Sequence, residues 1–305
     1  MRISNRFLMG IAIFLIVLAA IALFVLRAIT VHGEIIIASK NFTESRVLVE
    51  IMAQTIENNT GLAVNRRELG STSLCYDALH SGTISIYPEY TGTLLTDVFK
   101  MPPAAEAMDA FTKVKERLNA AGVLEMLPPF GFNDTYVLVM KADVAQKKRI
   151  SKISDLVTYT EFKAGFTSEF NQRPDGYPGL SKHYGLRFRS QPIDLAPGHM
   201  YGACAQGLVQ VISAFSTDAR IAKFGLITLA DDKAFFPAYQ AVPLVNKKIM
   251  RAYPAALVSL ESLAGKISDS TMLQLNYQVD IKGLPVKEAA RRFLAQLKKN
   301  SLRKD

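Results

Sequence analysis

Past an apolar run near the start, hydrophobic and polar positions fall into short blocks that switch between a period of two and a period near 3.6. Gly33-Glu-Ile-Ile-Ile-Ala38 reads as a buried strand. Asn41-Phe-Thr-Glu44 has the form of an N-cap with Glu at N3. It opens a helix to about Asn59 with Val47, Leu48, Ile51, Met52 and Ile56 on one face, and Gly61 ends it. A strand over 62–69, a Gly-Ser-Thr-Ser turn and a helix to His80 follow. Ile84 and Ile86 mark the next strand, which Pro88 is expected to break because it cannot donate to a central ladder. An amphipathic helix over 104–121 precedes a strong strand from Thr135 to Met140. The pattern then predicts a short helix over 150–157 and a strand from Phe162 to Phe166. Residues 169–179 read as a loop rich in turn-formers that carries Arg173. A helix over 201–207 leads to strands over 208–215 and 224–229, and Phe236 to Val245 looks like a crossing segment. The chain ends in a helix with Pro285 near N1 and Val286, Ala289, Ala290, Phe293 and Leu297 on one face. Strands alternating with helices give an α/β class.

Two segments offer candidate chemistry. A break at Pro88 throws Tyr87, Glu89, Tyr90, Thr91 and Thr93 into a loop at a strand's carboxyl end, where open α/β sheets bind ligands. An aromatic ring, a carboxylate and two hydroxyls there suit a small cation that also carries hydrogen-bonding groups. Lys40 lies between a strand end and a helix N-terminus, a place suited to an anion such as a carboxylate. A faint repeat links the halves of the chain: helix, Gly82 and strand to Tyr90 match helix, Gly207 and strand to Phe215 at one offset, which Tyr76 and Tyr201 share. Two similar halves, each with an aromatic at a strand end, suggest two lobes facing across a cleft.

The chain has 305 residues and a net charge of +9, of which Arg2, Arg6 and Arg27 flank the N-terminal apolar segment. The remaining basic residues are dispersed apart from a C-terminal group, Lys298, Lys299, Arg303 and Lys304, read as a solvated, frayed tail. No nucleic-acid partner is expected. Cys75 and Cys204 lie far apart in helical segments, and none of the four histidines stands at metal spacing from them. Neither a metal nor another cofactor is expected. The two cysteines read as separate thiols rather than a disulfide. Residues 8–26 are nineteen uncharged, mostly apolar residues. As a helix they would span about 28 Å, close to a bilayer's hydrocarbon thickness. Arg2 and Arg6 orient the N-terminus to the cytoplasm. Residues 1–32 are therefore expected to be an uncleaved signal anchor rather than a cleaved signal peptide, with no lipoprotein Cys after it. The remainder, from about residue 33, would work outside the cytoplasmic membrane.

Six ordered motifs then resemble one family. They are Ser39-Lys-Asn-Phe-Thr-Glu44, Tyr87-Pro-Glu-Tyr-Thr-Gly-Thr93, Gly131-Phe-Asn-Asp-Thr-Tyr136, Arg173-Pro-Asp-Gly176, Phe215-Ser-Thr-Asp218 and Phe235-Phe-Pro-Ala-Tyr-Gln-Ala-Val-Pro-Leu244. Together they make residues 34–298 similar to the extracytoplasmic substrate-binding proteins of ABC transporters for glycine betaine, choline, carnitine and related quaternary amines (the ProX/OpuC group). The resemblance implies a two-lobed periplasmic-binding-protein fold of type II with two crossover segments. Lobe 1 would comprise about 33–133 and 240–305, and lobe 2 about 134–239. Tyr136 and Tyr239 would then sit just past the hinges. By the same resemblance Tyr90, Tyr136, Phe215 and Tyr239 form an aromatic cage, and the backbone at Asp134 lines it. Lys40, Thr93 and Arg173 would meet a carboxylate, and the partners are a quaternary amine, an ABC permease and its ATPase. Phe215 stands where the family usually has Tyr, so the ring face is kept and a hydroxyl is lost.

Two rival functions fit less well. Gly-x-Ser-x-Gly, His-Glu-x-x-His, P-loop and Gly-x-Gly-x-x-Gly patterns are absent from the sequence, which argues against an enzyme. A membrane-tethered sensor would need an output domain, and only seven residues precede the apolar segment. A binder of a related betaine such as ergothioneine keeps the same fold.

Overall fold

A computed structural model describes residues 34–104 and 106–301. Residues 8–26, read as a signal anchor, lie outside them, and among the described residues no helix is long and apolar enough to cross a membrane. The strands are β1 (Ile35–Lys40), β2 (Val64–Gly70), β3 (Ile86–Tyr90), β4 (Leu124–Met126), β5 (Tyr136–Lys141), β6 (Ala164–Phe166), β7 (Ile193–Asp194), β8 (Val211–Phe215), β9 (Leu226–Thr228) and β10 (Ala241–Asn246). They form two five-stranded sheets, ordered β2-β1-β3-β10-β4 and β7-β6-β8-β5-β9.

The two orders are the same arrangement repeated. In the first sheet β3 pairs parallel with β1 and antiparallel with β10. In the second, β8 pairs parallel with β6 and antiparallel with β5. The central strands β3 and β8 start and end 125 residues apart, so the faint sequence repeat corresponds to equivalent strands. Each sheet takes one strand from across a crossing: β10 returns to the first sheet after the second is complete, and β5 opens the second.

Pro88 does not break its strand. It sits inside β3, opposite Pro243 of β10. Thr91 N donates to Gln240 O and Asn246 N to Ser85 O in the same register. Hydrogen-bonded and non-bonded pairs alternate along an antiparallel ladder, so the proline pair falls at a position where neither N–H is called for between β3 and β10. Tyr87 and Glu89 are accordingly buried strand residues, not loop residues. The chain turns only at Thr91, and Phe236 to Val245 likewise contains a strand of the first sheet rather than a bare crossing.

The helices used below are α1 (Thr43–Thr60), α2 (Thr72–Ser81), α3 (Ser168–Gln172), α4 (Tyr177–Tyr184), α5 (Pro254–Glu261), α6 (Asp269–Asp280) and α7 (Val286–Ser301). Phe42, not Asn41, is the N-cap of α1 and makes no side-chain cap bond. Glu44 is thus one residue too early for a capping box, and its carboxylate is used elsewhere. The predicted 169–179 loop is largely helical, with Arg173 between α3 and α4. α5 and α6 were not read from the sequence, although Pro254 in the first turn of α5 and the Ser268 cap on Thr271 N of α6 are start signals. α7 continues through Lys298 and Lys299, so that part of the basic end is helix rather than frayed tail.

α1 carries Val47, Leu48, Ile51, Met52 and Ile56, all with no solvent exposure. Its packing against α5, α6 and α7 explains burial on more than one face. Leu48→Ala is expected to lower unfolding free energy by about 2–5 kcal/mol, because a buried cavity is left. Urea denaturation should show an earlier midpoint at unchanged slope; no shift would mean that α1 is not part of the cooperative core.

Candidate functional site

The carboxyl ends of parallel strands from both sheets border one cavity of about 380 Å³. Lys40 ends β1, Tyr90 ends β3 and Phe215 ends β8, while Thr167 directly follows β6. Tyr136 opens β5 opposite Phe215. Asp134 and Tyr239 lie just before β5 and β10. All eight residues singled out from the sequence, Lys40, Tyr90, Thr93, Asp134, Tyr136, Arg173, Phe215 and Tyr239, line this cavity.

The rings form a connected wall. Tyr136 stands 4.9 Å from Phe215 and 5.6 Å, edge-on, from Tyr239. Phe42 was not singled out as a site residue, yet it stacks on Phe215 at 5.5 Å and lies 6.4 Å from Tyr90. Its place inside the Ser39–Glu44 motif was the available signal. The close seat of Tyr239 depends on Gly92, where an added Cβ would stand 2.6 Å from the Tyr239 ring. Ring faces carry negative potential, so this wall attracts a cation that has no N–H to donate.

The two cations of the site are already paired. Lys40 Nζ donates to Glu89 Oε1 at 2.6 Å and lies 5.4 Å from the Tyr90 ring centre. Glu89 is fully buried, and its Oε2 has no hydrogen-bond partner among the described residues. Burial pushes its carboxyl up, against the pull of Lys40. Arg173 grips Asp175 with Nε (2.8 Å) and Nη2 (2.6 Å), and reaches Thr93 Oγ1 and Glu169 Oε1 at 3.2 and 3.3 Å. A guanidinium has five N–H groups, so among the described residues at most one remains for a ligand. Asp175 thus takes a two-point contact with the guanidinium that the resemblance assigned to a ligand carboxylate. Asp175 also accepts from Thr96 and Tyr239, both at 2.6 Å. Burial alone would raise Asp175, but Arg173 outweighs it and holds the carboxyl below its ordinary value. Lys40 carries three N–H groups, and among the described residues Glu89 takes one of them.

Glu44, also missed, is buried beside the rings. Its Oε1 accepts from Tyr90 Oη (2.7 Å), and its Oε2 accepts from Asn276 Nδ2 (3.1 Å) and lies 2.5 Å from Thr217 Oγ1. Cys75 and Cys204 are free, buried thiols. Burial pushes Cys75 up to about 12 and Cys204 to about 11, so neither is a ready thiolate. Among the described residues no group of three or more His, Cys, Asp and Glu is placed to hold a metal ion.

Residues 33–296 match the family model OpuAC, the substrate binding domain of ABC-type glycine betaine transport systems. The chain belongs to that family. Among OpuAC-like relatives it is 32% identical over 294 residues to the glycine betaine-binding protein YehZ of Escherichia coli K12, covering 92% of this chain and 95% of the relative. It is 32% identical over 256 residues to the carnitine transport binding protein OpuCC of Listeria monocytogenes, covering 83% of each. It is 34% identical over 299 residues to the ergothioneine transport permease/ergothioneine binding protein EgtU of Helicobacter pylori G27. That match takes in 96% of this chain and spans only about half (53%) of the relative. A solved glycine betaine/carnitine/choline ABC transporter structure superposes with a TM-score of 0.70 at 29% identity, covering 86% of this chain and 98% of its own. Lactococcal OpuAC, closed on glycine betaine, shares the fold at a TM-score of 0.62 and 14% identity, over 88% of this chain and 97% of its own. The two-sheet α/β architecture is thus that of type II periplasmic binding proteins, and the family is a transporter substrate-binding domain rather than an enzyme.

Proposed function

We propose that this OpuAC-family chain captures a quaternary-ammonium solute such as glycine betaine, choline or carnitine in the ring-walled cavity. It presents the solute to an ABC permease and its ATPase outside the cytoplasmic membrane, with residues 8–26 as its tether. The observation that carries this reading is the convergence of Tyr90, Tyr136, Phe215 and Tyr239, joined by Phe42, on one cavity. A trimethylammonium group spreads its charge and donates no hydrogen bond, so acceptors cannot select it, whereas each ring contributes roughly 0.5–2 kcal/mol. Lys40 is the cation left to meet a ligand carboxylate, with Thr93 lining the same cavity; Arg173 pairs with Asp175 and faces the Tyr136 ring at 5.5 Å. The cavity is lined by residues between 40 and 93 on one side and between 134 and 239 on the other. Ligand contacts to both sides favour a closed pair of lobes.

A thermal-shift screen over glycine betaine, choline, carnitine, proline betaine and ergothioneine tests this. A ligand at about 100 times its Kd should stabilise the protein by about 2.7 kcal/mol. Stabilisation by none of them would refute the reading. The 34% identity to EgtU favours a second reading within the same cavity, ergothioneine itself a trimethylammonium betaine. A shift with ergothioneine alone would select it.

A further inference from the structure

Glu44 and Asp134 make an acid pair that ring stacking and carboxylate capture leave unused. Both are buried. Both line a small void of about 30 Å³ next to the main cavity, which Asp134 also borders. Thr217 Oγ1 lies 2.5 Å from Glu44 Oε2 and 2.9 Å from Asp134 Oδ1. A hydroxyl has a single hydrogen to donate. One of these two contacts therefore needs a proton carried by a carboxyl group.

The surroundings offer the pair hydrogen-bond donors but no cation of its own. Tyr90 from β3 and Asn276 from α6 donate to Glu44. Thr217 N and Ser216 Oγ approach Asp134 Oδ1 at 3.1 and 3.3 Å. The nearest charged groups are matched elsewhere. Lys40 pairs with Glu89, and Arg220 pairs with Asp218 and stands 3.8 Å from Asp280. Tyr201, which faces Asp134, donates to Asp218. Among the described residues no histidine lines either cavity. Two unpaired charges so close and so dry are strongly disfavoured. In accord with this, burial pushes both carboxyls up, and the charge of Glu44 drives Asp134 higher still.

We propose that Glu44 and Asp134 hold a shared proton in the ligand-free protein and release it when a quaternary cation enters, becoming its buried counter-charge. This rests on the quaternary-ammonium reading above. One carboxyl O–H bond breaks, the proton passes to buffer, and one positive charge leaves the site as another arrives. The cation lowers the pair's affinity for its proton. Ligand affinity therefore rises with pH, by up to about tenfold per unit, between the pair's titration in the liganded and in the free protein, and levels off above.

Calorimetric titration of the full chain with choline, in two buffers of different protonation enthalpy and at several pH values, measures the released proton directly. Choline titrates nowhere in this range, so any proton comes from the protein. The expected result is a buffer-dependent heat approaching one proton on the acid side and vanishing on the alkaline side. Asp134→Asn and Glu44→Gln should each remove it. Binding with identical buffer-corrected heats at every pH overturns the inference and leaves the functional reading standing. Release that persists in both variants overturns it as well. Absence of any binding by choline, glycine betaine, carnitine, proline betaine and ergothioneine alike instead removes the functional reading, and this inference with it.

Discussion

Tyr90→Ala weakens binding of a trimethylammonium solute about 30-fold or more, since loss of one desolvated ring face costs about 2 kcal/mol and each tenfold is about 1.4 kcal/mol. Tyr90 ends the central strand of the first sheet, so its backbone is held between β1 and β10. Its hydroxyl is fixed on Glu44 at 2.7 Å. The ring therefore cannot be replaced by a neighbour moving in. Tyr90→Phe separates the two contributions: the face stays, the hydrogen bond to Glu44 goes, and the loss should remain within about tenfold. Isothermal calorimetry on the two variants decides the matter. Equal affinity of wild type and Tyr90→Ala would mean that the ring wall is packing rather than recognition.

Asp175→Ala should be the most damaging single change for stability in the ligand-free protein. It strips Arg173, 3% exposed, of its two-point partner and removes the acceptor shared by Thr96 and Tyr239. Removing one member of a buried pair leaves an uncompensated charge and costs about 3–5 kcal/mol. For a chain of this size the melting temperature should fall by roughly 6–20 °C, at about 2–4 °C per kcal/mol. The pH dependence has a definite sign. Asp175 is held below its ordinary value in the fold, so its contribution is complete above the ordinary aspartate value of about 3.9 and fades as pH falls through the lower folded value. The gap between wild type and Asp175→Ala should accordingly be constant from neutral pH to about 5 and narrow in stronger acid. A gap that is already absent at neutral pH would show that Asp175 and Arg173 are not energetically coupled.

Tyr90 and Phe215 were legible as aromatics at the ends of repeated strands, whereas Tyr136 and Tyr239 were placed by the motifs of the family resemblance. The pairings that fix the charges were not legible. Lys40 and Glu89 are 49 residues apart and meet only because β1 and β3 are neighbours. The capture of Arg173 by Asp175 is local in sequence but depends on the turn between α3 and α4, which the density of turn-formers suggested as open loop. Pro88 misled for a different reason. Proline is excluded from a ladder only where its N–H is needed, and that depends on register with a strand some 155 residues away, which no local pattern contains. Glu44 looked like a cap because its spacing from Asn41 was right, while the helix began one residue later than that reading required.

The two stretches of chain that pass between the sheets are tied to each other. Asn133 and Gln240 form an antiparallel bridge, Asp134 N donates to Tyr239 O at 3.1 Å, and Tyr239 N donates to the Asn133 side chain at 2.6 Å. A laced double ribbon bends readily across its width but resists torsion, because twisting one thread drags the other. Any swing of one sheet relative to its mate would strain these cross-links, and two of the residues that make them, Asp134 and Tyr239, border the solute's own chamber.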